Sequence, residues 1–191
     1  DFIMPVLDYD CEDLTEPFIT QTELVAPRGY HDLVFDDEGH IIGSDGNSLL
    51  MVTYDNDVDV FLPGLASTVQ GMDKLDDGDI LLVNNNGELR RITPAMVNTV
   101  VASGFGGAYG ITVGPDQMAY VCVGSSILRI DPDTGDQELW LSAPETPRVM
   151  VFNLDSTGAY FSTLTFGAFA PVYYVEVDGD LDPVGPPVVF A

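Results

Sequence analysis

The chain has 191 residues, of which 46% are hydrophobic, so it can bury a core and is not a disordered acidic segment. Lys and Arg number 6 against 31 Asp and Glu, which gives a formal net charge of −25. Such a surface repels phosphate backbones and anionic lipid, which argues against nucleic acid as a partner, and no apolar run reaches the ~20 residues of a membrane span.

In chain order, the sequence repeats one strand–turn–strand unit four times. A short strand with apolar residues two apart leads into an Asp/Gly turn and a second, more apolar strand. The units are aligned by Leu33, Asp73, Ile111 and Phe152, and the turn residues Gly39, Gly78, Gln117 and Gly158 lie 39, 39 and 41 residues apart. A third strand and a second hairpin follow in each unit. A period near 40 with several strands per unit predicts a propeller of sheets.

The predicted fold is therefore all-β, a β-propeller of four-stranded antiparallel blades with about four blades in this chain. The blades span residues 29–67, 68–106, 107–146 and 147–187, with an N-terminal segment at 1–28 and a tail at 188–191. The N-terminal passage "TELVAPRG" is similar to the fourth-strand passage "QELWLSAPETPRV", which makes it a candidate ring-closing strand. Cys11 and Cys122 either form one disulfide or stay unpaired, and neither has the neighbours of a zinc site.

The blade pattern, in particular "YGITVGPDQMAYV" followed by "ILRIDPDTG", resembles NHL-repeat, gluconolactonase-like and streptogramin-lyase-like propellers over about residues 22–187. This resemblance implies a larger, six-bladed ring. Four blades alone would leave apolar faces and strand edges open. Three arrangements would avoid this. A second polypeptide could supply the missing blades, another copy of this chain could pair with the first, or four blades could close by themselves.

The candidate site lies where propellers hold ligands, near the central axis. Aligning the units there brings together the oxygen-bearing side chains of Asp32, Asp45, Asp73, Asn84 and Asn85. Ca²⁺ binds oxygens of this kind, and gluconolactonase-like propellers hold a divalent ion on the axis. The alternative is that these residues cap strand ends and turns.

The two histidines differ in expected role. His31, next to Asp32, is a candidate general base, with a structural role as the alternative. His40 is expected on the outer rim in solvent. The function predicted is a secreted or periplasmic binding module for a small-molecule ligand or a protein partner, with calcium on the axis. The alternative is a metal-dependent lactonase, hydrolase or lyase like those of the families it resembles.

Overall fold

A computed structural model of the chain shows the fold over residues 30–53, 57–164 and 170–190, with side chains described from Asp32 onward. These ranges contain strands and turns and no helix. The strands are β1 Tyr30–Phe35, β2 Ile41–Asp45, β3 Ser48–Val52, β4 Val58–Leu62, β5 Val69–Lys74, β6 Ile80–Asn84, β7 Glu88–Ile92, β8 Asn98–Ser103, β9 Ala108–Val113, β10 Ala119–Val123, β11 Ser126–Ile130, β12 Gln137–Ser142, β13 Pro147–Phe152, β14 Gly158–Thr163, β15 Val172–Glu176 and β16 Val188–Val189.

Each run of four consecutive strands forms one antiparallel sheet, in the orders β1–β4, β5–β8, β9–β12 and β13–β16. We number these sheets one to four. The first strands of consecutive sheets contact one another in the order β1, β5, β9, β13. This arrangement confirms the prediction of an all-β propeller built from four-stranded blades.

The turn after each first strand contains one residue with a positive φ, namely Gly39 (85°), Gly78 (90°), Gln117 (63°) and Ser156 (56°). These residues lie 39 apart throughout, so Gly158 is the wrong turn residue for the fourth unit. The fourth turn is one residue longer than the others, and the Asn153 side chain closes it by accepting the amides of Thr157 and Gly158 at 2.9 and 3.0 Å.

The corrected turn changes which residues are equivalent on the first strands. In the observed register Leu81 pairs with Asp73. The counterparts of Leu81 in the other sheets are Ile42, Tyr120 and Tyr160, and they pair with Val34, Thr112 and Val151, respectively. Val34, Thr112 and Val151 are therefore the residues equivalent to Asp73. The residues aligned with Asp73 from sequence, Leu33, Ile111 and Phe152, are one position away and therefore point to the opposite face.

The structure also revises the predicted tail and decides between the two alternatives for Cys122. The fourth sheet ends with β16, where Val188 pairs with Tyr174, in residues that were expected to be a tail. Cys122 is buried as a free thiol, so it does not form the disulfide with Cys11 that the sequence allowed. The N-terminal segment 1–28, with the candidate ring-closing strand, lies outside the described residues.

Alternate side chains on each strand pack against the preceding or the following sheet, which gives three apolar layers. We call the face toward the following sheet the front face and the opposite one the back face. Between sheets one and two, the front residues Val34, Ile42 and Leu49 pack against the back residues Met72, Ile80 and Leu82. Between sheets two and three, Leu81, Val83 and Leu89 pack against Ile111, Ala119 and Val121. Between sheets three and four, Tyr120, Cys122 and Ile127 pack against Met150, Phe161 and Tyr173.

Glycines let the first strands approach closely. A Cβ added to Gly71 would lie 2.9 Å from the Cα of Gly110, and a Cβ on Gly110 would lie 2.2 Å from the carbonyl oxygen of Arg148. No side chain fits at either place, so β5, β9 and β13 lie nearly backbone to backbone. This contact fixes the position of the polar residues beside it.

Candidate functional site

Asp32 and Asp73, two of the predicted metal ligands, link consecutive sheets. Asp32 accepts the amide of Met72 in sheet two at 2.8 Å and that of Leu33 at 2.9 Å. Asp73 accepts the amide of Val113 in sheet three at 2.7 Å and that of Lys74 at 2.8 Å.

The third sheet continues this series of links with a hydroxyl in place of a carboxylate. Thr112, at the position of Asp73, donates its hydroxyl to the carbonyl of Met150 in sheet four. The polar side chains of the first strands therefore fasten each sheet to the next.

The two carboxylates lie close enough to affect each other. Burial raises the pKa of Asp73 above its usual value, the amides of Val113 and Lys74 act in the opposite direction, and the charge of Asp32 adds to the rise. The structure thus brings this predicted pair together.

Of the other predicted ligands, Asn84 binds within its own hairpin, while Asn85 and Asp45 lie at strand ends. Asn84 is fully buried and binds Glu88 twice, accepting its amide at 3.0 Å and donating to its carboxylate at 3.2 Å. The backbone amide of Asn85 donates to the carbonyl of Thr68 at 2.9 Å. Asp45 lies opposite Tyr30 at the start of the first sheet.

The donors do not form a site by themselves. Over residues 30–53, 57–164 and 170–190, no group of three or more His, Cys, Asp or Glu side chains is arranged to hold a metal ion. Calcium takes six to eight oxygens, and Asp32 and Asp73 already accept four backbone amides between them. His31 lies on β1, but its side chain is outside the described set, so its role as a base stays a prediction.

A cleft that the sequence did not reveal lies between the first two sheets, beside the turns that follow β1 and β5. Its volume is about 380 Å³. The walls are apolar and the rim is polar. The wall residues are Ile42, Met51, Phe61, Ile80 and Pro94, and the rim residues are Asp36, Asp37, Glu38, His40 and Lys74.

The rim is held in place by hydrogen bonds. The His40 ring nitrogen Nδ1 lies 2.9 Å from Asp36 Oδ2, while Asp36 Oδ1 accepts the backbone amides of His40 and Glu38 at 2.8 and 2.9 Å. Lys74 crosses from the second sheet to Asp37 at 2.6 Å. The His40 side chain is only 19% exposed, so the expectation that it is solvated on the outer rim was wrong.

The charge of Asp36 follows from these contacts. Burial raises the pKa of Asp36, but the hydrogen bonds from the His40 backbone and ring and from the Glu38 amide outweigh it, and the pKa falls below its usual value. Asp36 is therefore ionised at neutral pH and presents a negative charge to the cleft.

The corresponding cleft between sheets two and three, about 360 Å³ in volume, is lined by an arginine. Arg91 pairs with Leu81 just as Met51 pairs with Ile42, so the two residues are equivalent. The Arg91 guanidinium binds Asp77 at 2.6 Å, Asp79 at 2.5 Å and Asp133 of sheet three at 2.5 Å.

The first sheet differs at this position. Glu38 and His40 stand where the second sheet has Asp77 and Asp79, and the uncharged Met51 replaces the arginine. The first cleft therefore keeps acidic groups on its rim, and its lysine comes from sheet two, because Met51 stands in place of an arginine on sheet one. Sequence inspection could have found this only with the strand register in hand.

Fold and site together define the class of protein, a β-propeller whose consecutive sheets are fastened by polar links. No protein-family model and no curated protein matches this chain. Solved structures do match its fold. The chain superimposes on an auxiliary nutrient binding protein from Bacteroides ovatus with a TM-score of 0.70 at 15% identity, covering 84% of this chain and 41% of that one.

Two further structures are similar to this chain. One is a calcium-binding protein, regucalcin, from Agrobacterium tumefaciens, with a TM-score of 0.67, 18% identity and coverage of 83% and 58%. The other is virginiamycin B lyase from Staphylococcus aureus, with a TM-score of 0.59, 17% identity and coverage of 79% and 64%. A putative gluconolactonase also matches. The chain spans less than half of the first structure, and at these identities the likeness establishes the fold, as the resemblance implied.

The described ranges contain no helix of the length and apolarity needed to cross a membrane.

Proposed function

We propose that this chain is a ligand-binding part of a β-propeller, and that the cleft between sheets one and two binds a small organic cation with an apolar body. The observation that carries the proposal is Met51, which stands where Arg91 supplies a guanidinium to the carboxylates of the next cleft. Solved propellers of similar fold named as nutrient-binding proteins support a binding role.

The chemistry of the cleft defines the ligand class. A guanidinium or ammonium group would take the place that the Arg91 guanidinium has in the second sheet, with Asp36 and Glu38 as its carboxylate partners. The apolar part would lie on Met51, Phe61 and Ile80, which line the cleft. A volume of about 380 Å³ is at the small end of ligand pockets, which suits a ligand the size of an alkylguanidine.

Calorimetric titration with butylguanidinium, and with neutral butylurea as its isostere, tests the proposal. We expect the cation to bind and the urea not to bind. Met51→Arg should abolish binding, because the new guanidinium pairs with the carboxylates that would hold the probe, as Arg91 does in the second cleft. Glu38→Gln should weaken binding roughly tenfold by removing one charged hydrogen-bond partner. Leu139→Arg, an exposed position in sheet three with the same charge change, should leave binding intact. Equal binding of both probes, or full binding by Met51→Arg, would contradict the proposal.

The axial calcium ion and the lactonase or lyase alternative remain predictions of their own. Among the described residues, Asp32 and Asp73 are the two predicted ligands that lie close to each other, and two carboxylates that already accept backbone amides do not fit a calcium site. Thermal unfolding with and without Ca²⁺ tests it, since an ion that binds only the folded state raises the melting temperature. A rise that EGTA reverses and that Asp73→Asn lacks would establish the ion.

We also place the protein outside the cytoplasm, in the periplasm or secreted. The support is the fold likeness to nutrient-binding proteins of Bacteroides, together with the strongly acidic composition. Fractionation of the source cells, followed by immunoblotting, tests this location.

A further inference from the structure

The front face of the fourth sheet is apolar and open. Val151, Tyr160, Tyr174 and Val188 form one row across its four strands. Val151 is 52% exposed and Phe190 is 63% exposed. We call this surface the front patch; it consists of Val149, Val151, Tyr160, Val172, Tyr174, Val188 and Phe190.

The front patch lies on the face of sheet four that corresponds to the faces by which sheets one to three pack against the next sheet. Sheets one, two and three each bury their front faces against the following sheet. Within the front patch the Tyr160 ring lies 5.1 Å from the Tyr174 ring and 4.9 Å from the Phe190 ring, so the patch holds an aromatic cluster in which the two tyrosines are partly buried and Phe190 is exposed. A contiguous exposed apolar surface of this kind marks an interaction site.

The interface between sheets three and four shows what such a cluster binds. Tyr120 occupies in sheet three the position that Tyr160 occupies in sheet four. Phe152, on the back face of sheet four, packs edge-on against Tyr120 with ring centroids 4.9 Å apart and contacts Trp140 at 6.0 Å. The residue just before the turn thus inserts its ring into the aromatic cluster of the preceding sheet.

The first sheet carries the same inserting residue on its own open face. Phe35 precedes the first turn as Phe152 precedes the fourth, and both lie on the back face of their sheets. Phe35 is 56% exposed and the neighbouring Leu33 is 46% exposed. The two ends of the four-sheet stack therefore present the two complementary halves of an interface that the chain already contains once.

We propose that two copies of this chain associate head to tail, with Phe35 of one copy packed against Tyr160, Tyr174 and Phe190 of the other. The contact is heterologous, because it joins two different surfaces, so it closes a ring or extends a stack depending on the angle between copies. It does not depend on the cleft or its ligand.

The charge of the chain gives the association a signature. Each copy carries a formal charge of −25, so the copies repel each other at low salt. Added salt shortens the screening length from about 10 Å at 0.1 M to about 3 Å at 1 M, while apolar contacts persist. Association should therefore strengthen with salt.

Light scattering coupled to size-exclusion chromatography, at low and high salt, tests the proposal. We expect at least twice the 20.6 kDa chain mass at high salt. Val151→Lys, in the front patch, should return the mass to that of one chain. Leu154→Lys makes the same charge change at a fully exposed turn position of the same sheet and should behave as the wild type. A wild-type mass of 20.6 kDa under all conditions overturns the proposal.

Cross-linking separates head-to-tail from face-to-face pairing. Phe35→Cys and Tyr160→Cys are made separately in a Cys11→Ser background, where the remaining native thiol, Cys122, is buried. A short bifunctional maleimide should join the two variants when they are mixed. Cross-linking of the Tyr160→Cys variant with itself, in the absence of the other, would show two front patches facing each other and would overturn the head-to-tail arrangement.

Discussion

Replacing Arg91 by methionine would give sheet two the residue that sheet one has at this position. In the wild type the Arg91 guanidinium joins Asp77 and Asp79 of its own sheet to Asp133 of the third. The substitution removes the cation but keeps an apolar side chain of similar length. Its effect on the free energy of unfolding can be divided among the three carboxylates by their exposure.

Asp79 dominates the expected loss of stability. Its side chain is 12% exposed, against 54% for Asp77 and 78% for Asp133. Exposed pairs contribute about 0–1 kcal/mol each, whereas removing one partner of a buried pair costs roughly 3–5 kcal/mol. Because the Asp79 pair is only partly buried, we expect Arg91→Met to lower the free energy of unfolding by about 3 kcal/mol. For a chain of this length that loss lowers the melting temperature by roughly 6–12 °C.

Urea unfolding of the wild type and three variants measures how the loss of stability divides among the three carboxylates. Asp133→Asn should cost less than ~1 kcal/mol, because it removes only an exposed pair. Asp79→Asn combined with Arg91→Met should recover roughly 1–2 kcal/mol relative to Arg91→Met alone, since the uncompensated buried charge is gone. An Asp133→Asn loss as large as that of Arg91→Met, or no recovery in the double variant, would refute the assignment. Arg91→Met should also gain affinity for butylguanidinium in the second cleft, because the probe can replace the lost guanidinium.

Three further outcomes follow from the described contacts. Gly110→Ala should lower the free energy of unfolding by about 3 kcal/mol or more in urea titrations, because its Cβ would meet a backbone oxygen. Gly106→Ala has open space around its Cβ and should be near neutral. Burial raises the pKa of Asp73 in the folded state. The free energy of unfolding of the wild type, relative to that of Asp73→Asn, should therefore rise as the pH falls from neutrality toward 3.8. A difference that stays constant or falls would contradict this. Burial raises the pKa of Cys122 to about 12, so a thiol reagent should label it only after unfolding, and rapid native labelling would show an open path to it.

The fold could be predicted because turns and strand alternation are local properties. Gly39 and Gly78 adopt the left-handed backbone that their turns require, and the sequence marks both. The fourth turn was misplaced because glycine was taken as its marker, whereas Ser156 takes the left-handed position and Asn153 closes the longer turn with its side chain. A shift of one residue moves a side chain to the other face of a sheet.

The site was harder to predict because its residues meet through strand register. Asp32 and Asp73 were correctly placed near each other, since both lie on first strands of adjacent sheets. Their use as acceptors for the amides of Met72 and Val113 could not be inferred, because backbone amides carry no sequence signal. The cleft depends on Met51 and Arg91 being equivalent, which required the pairing of each with its neighbouring strand.

Four of the six Lys and Arg residues of this acidic chain tie the sheets together at their edges. Lys74 binds Asp37 of sheet one, Arg91 binds Asp133 of sheet three, and Arg129 binds Asp182 of sheet four. Arg148 of sheet four lies 5.2 Å from the centre of the Tyr109 ring in sheet three. Each internal interface among the described sheets therefore has a cation at its margin as well as an apolar centre.

The fourth sheet departs from this rule on the face that we propose as an interface. Tyr174 stands where sheets two and three have Arg91 and Arg129, because it pairs with Tyr160 as Arg129 pairs with Tyr120. Val151 likewise stands where Asp73 links sheet two to sheet three. Val151 and Tyr174 thus replace both polar residues on the exposed front face of sheet four, as Val34 and Met51 do on the front face of sheet one. Apolar contacts suit an interface between two chains of the same negative charge, because salt screens the repulsion without weakening those contacts. The measurement of the wild-type mass at low and high salt tests this behaviour.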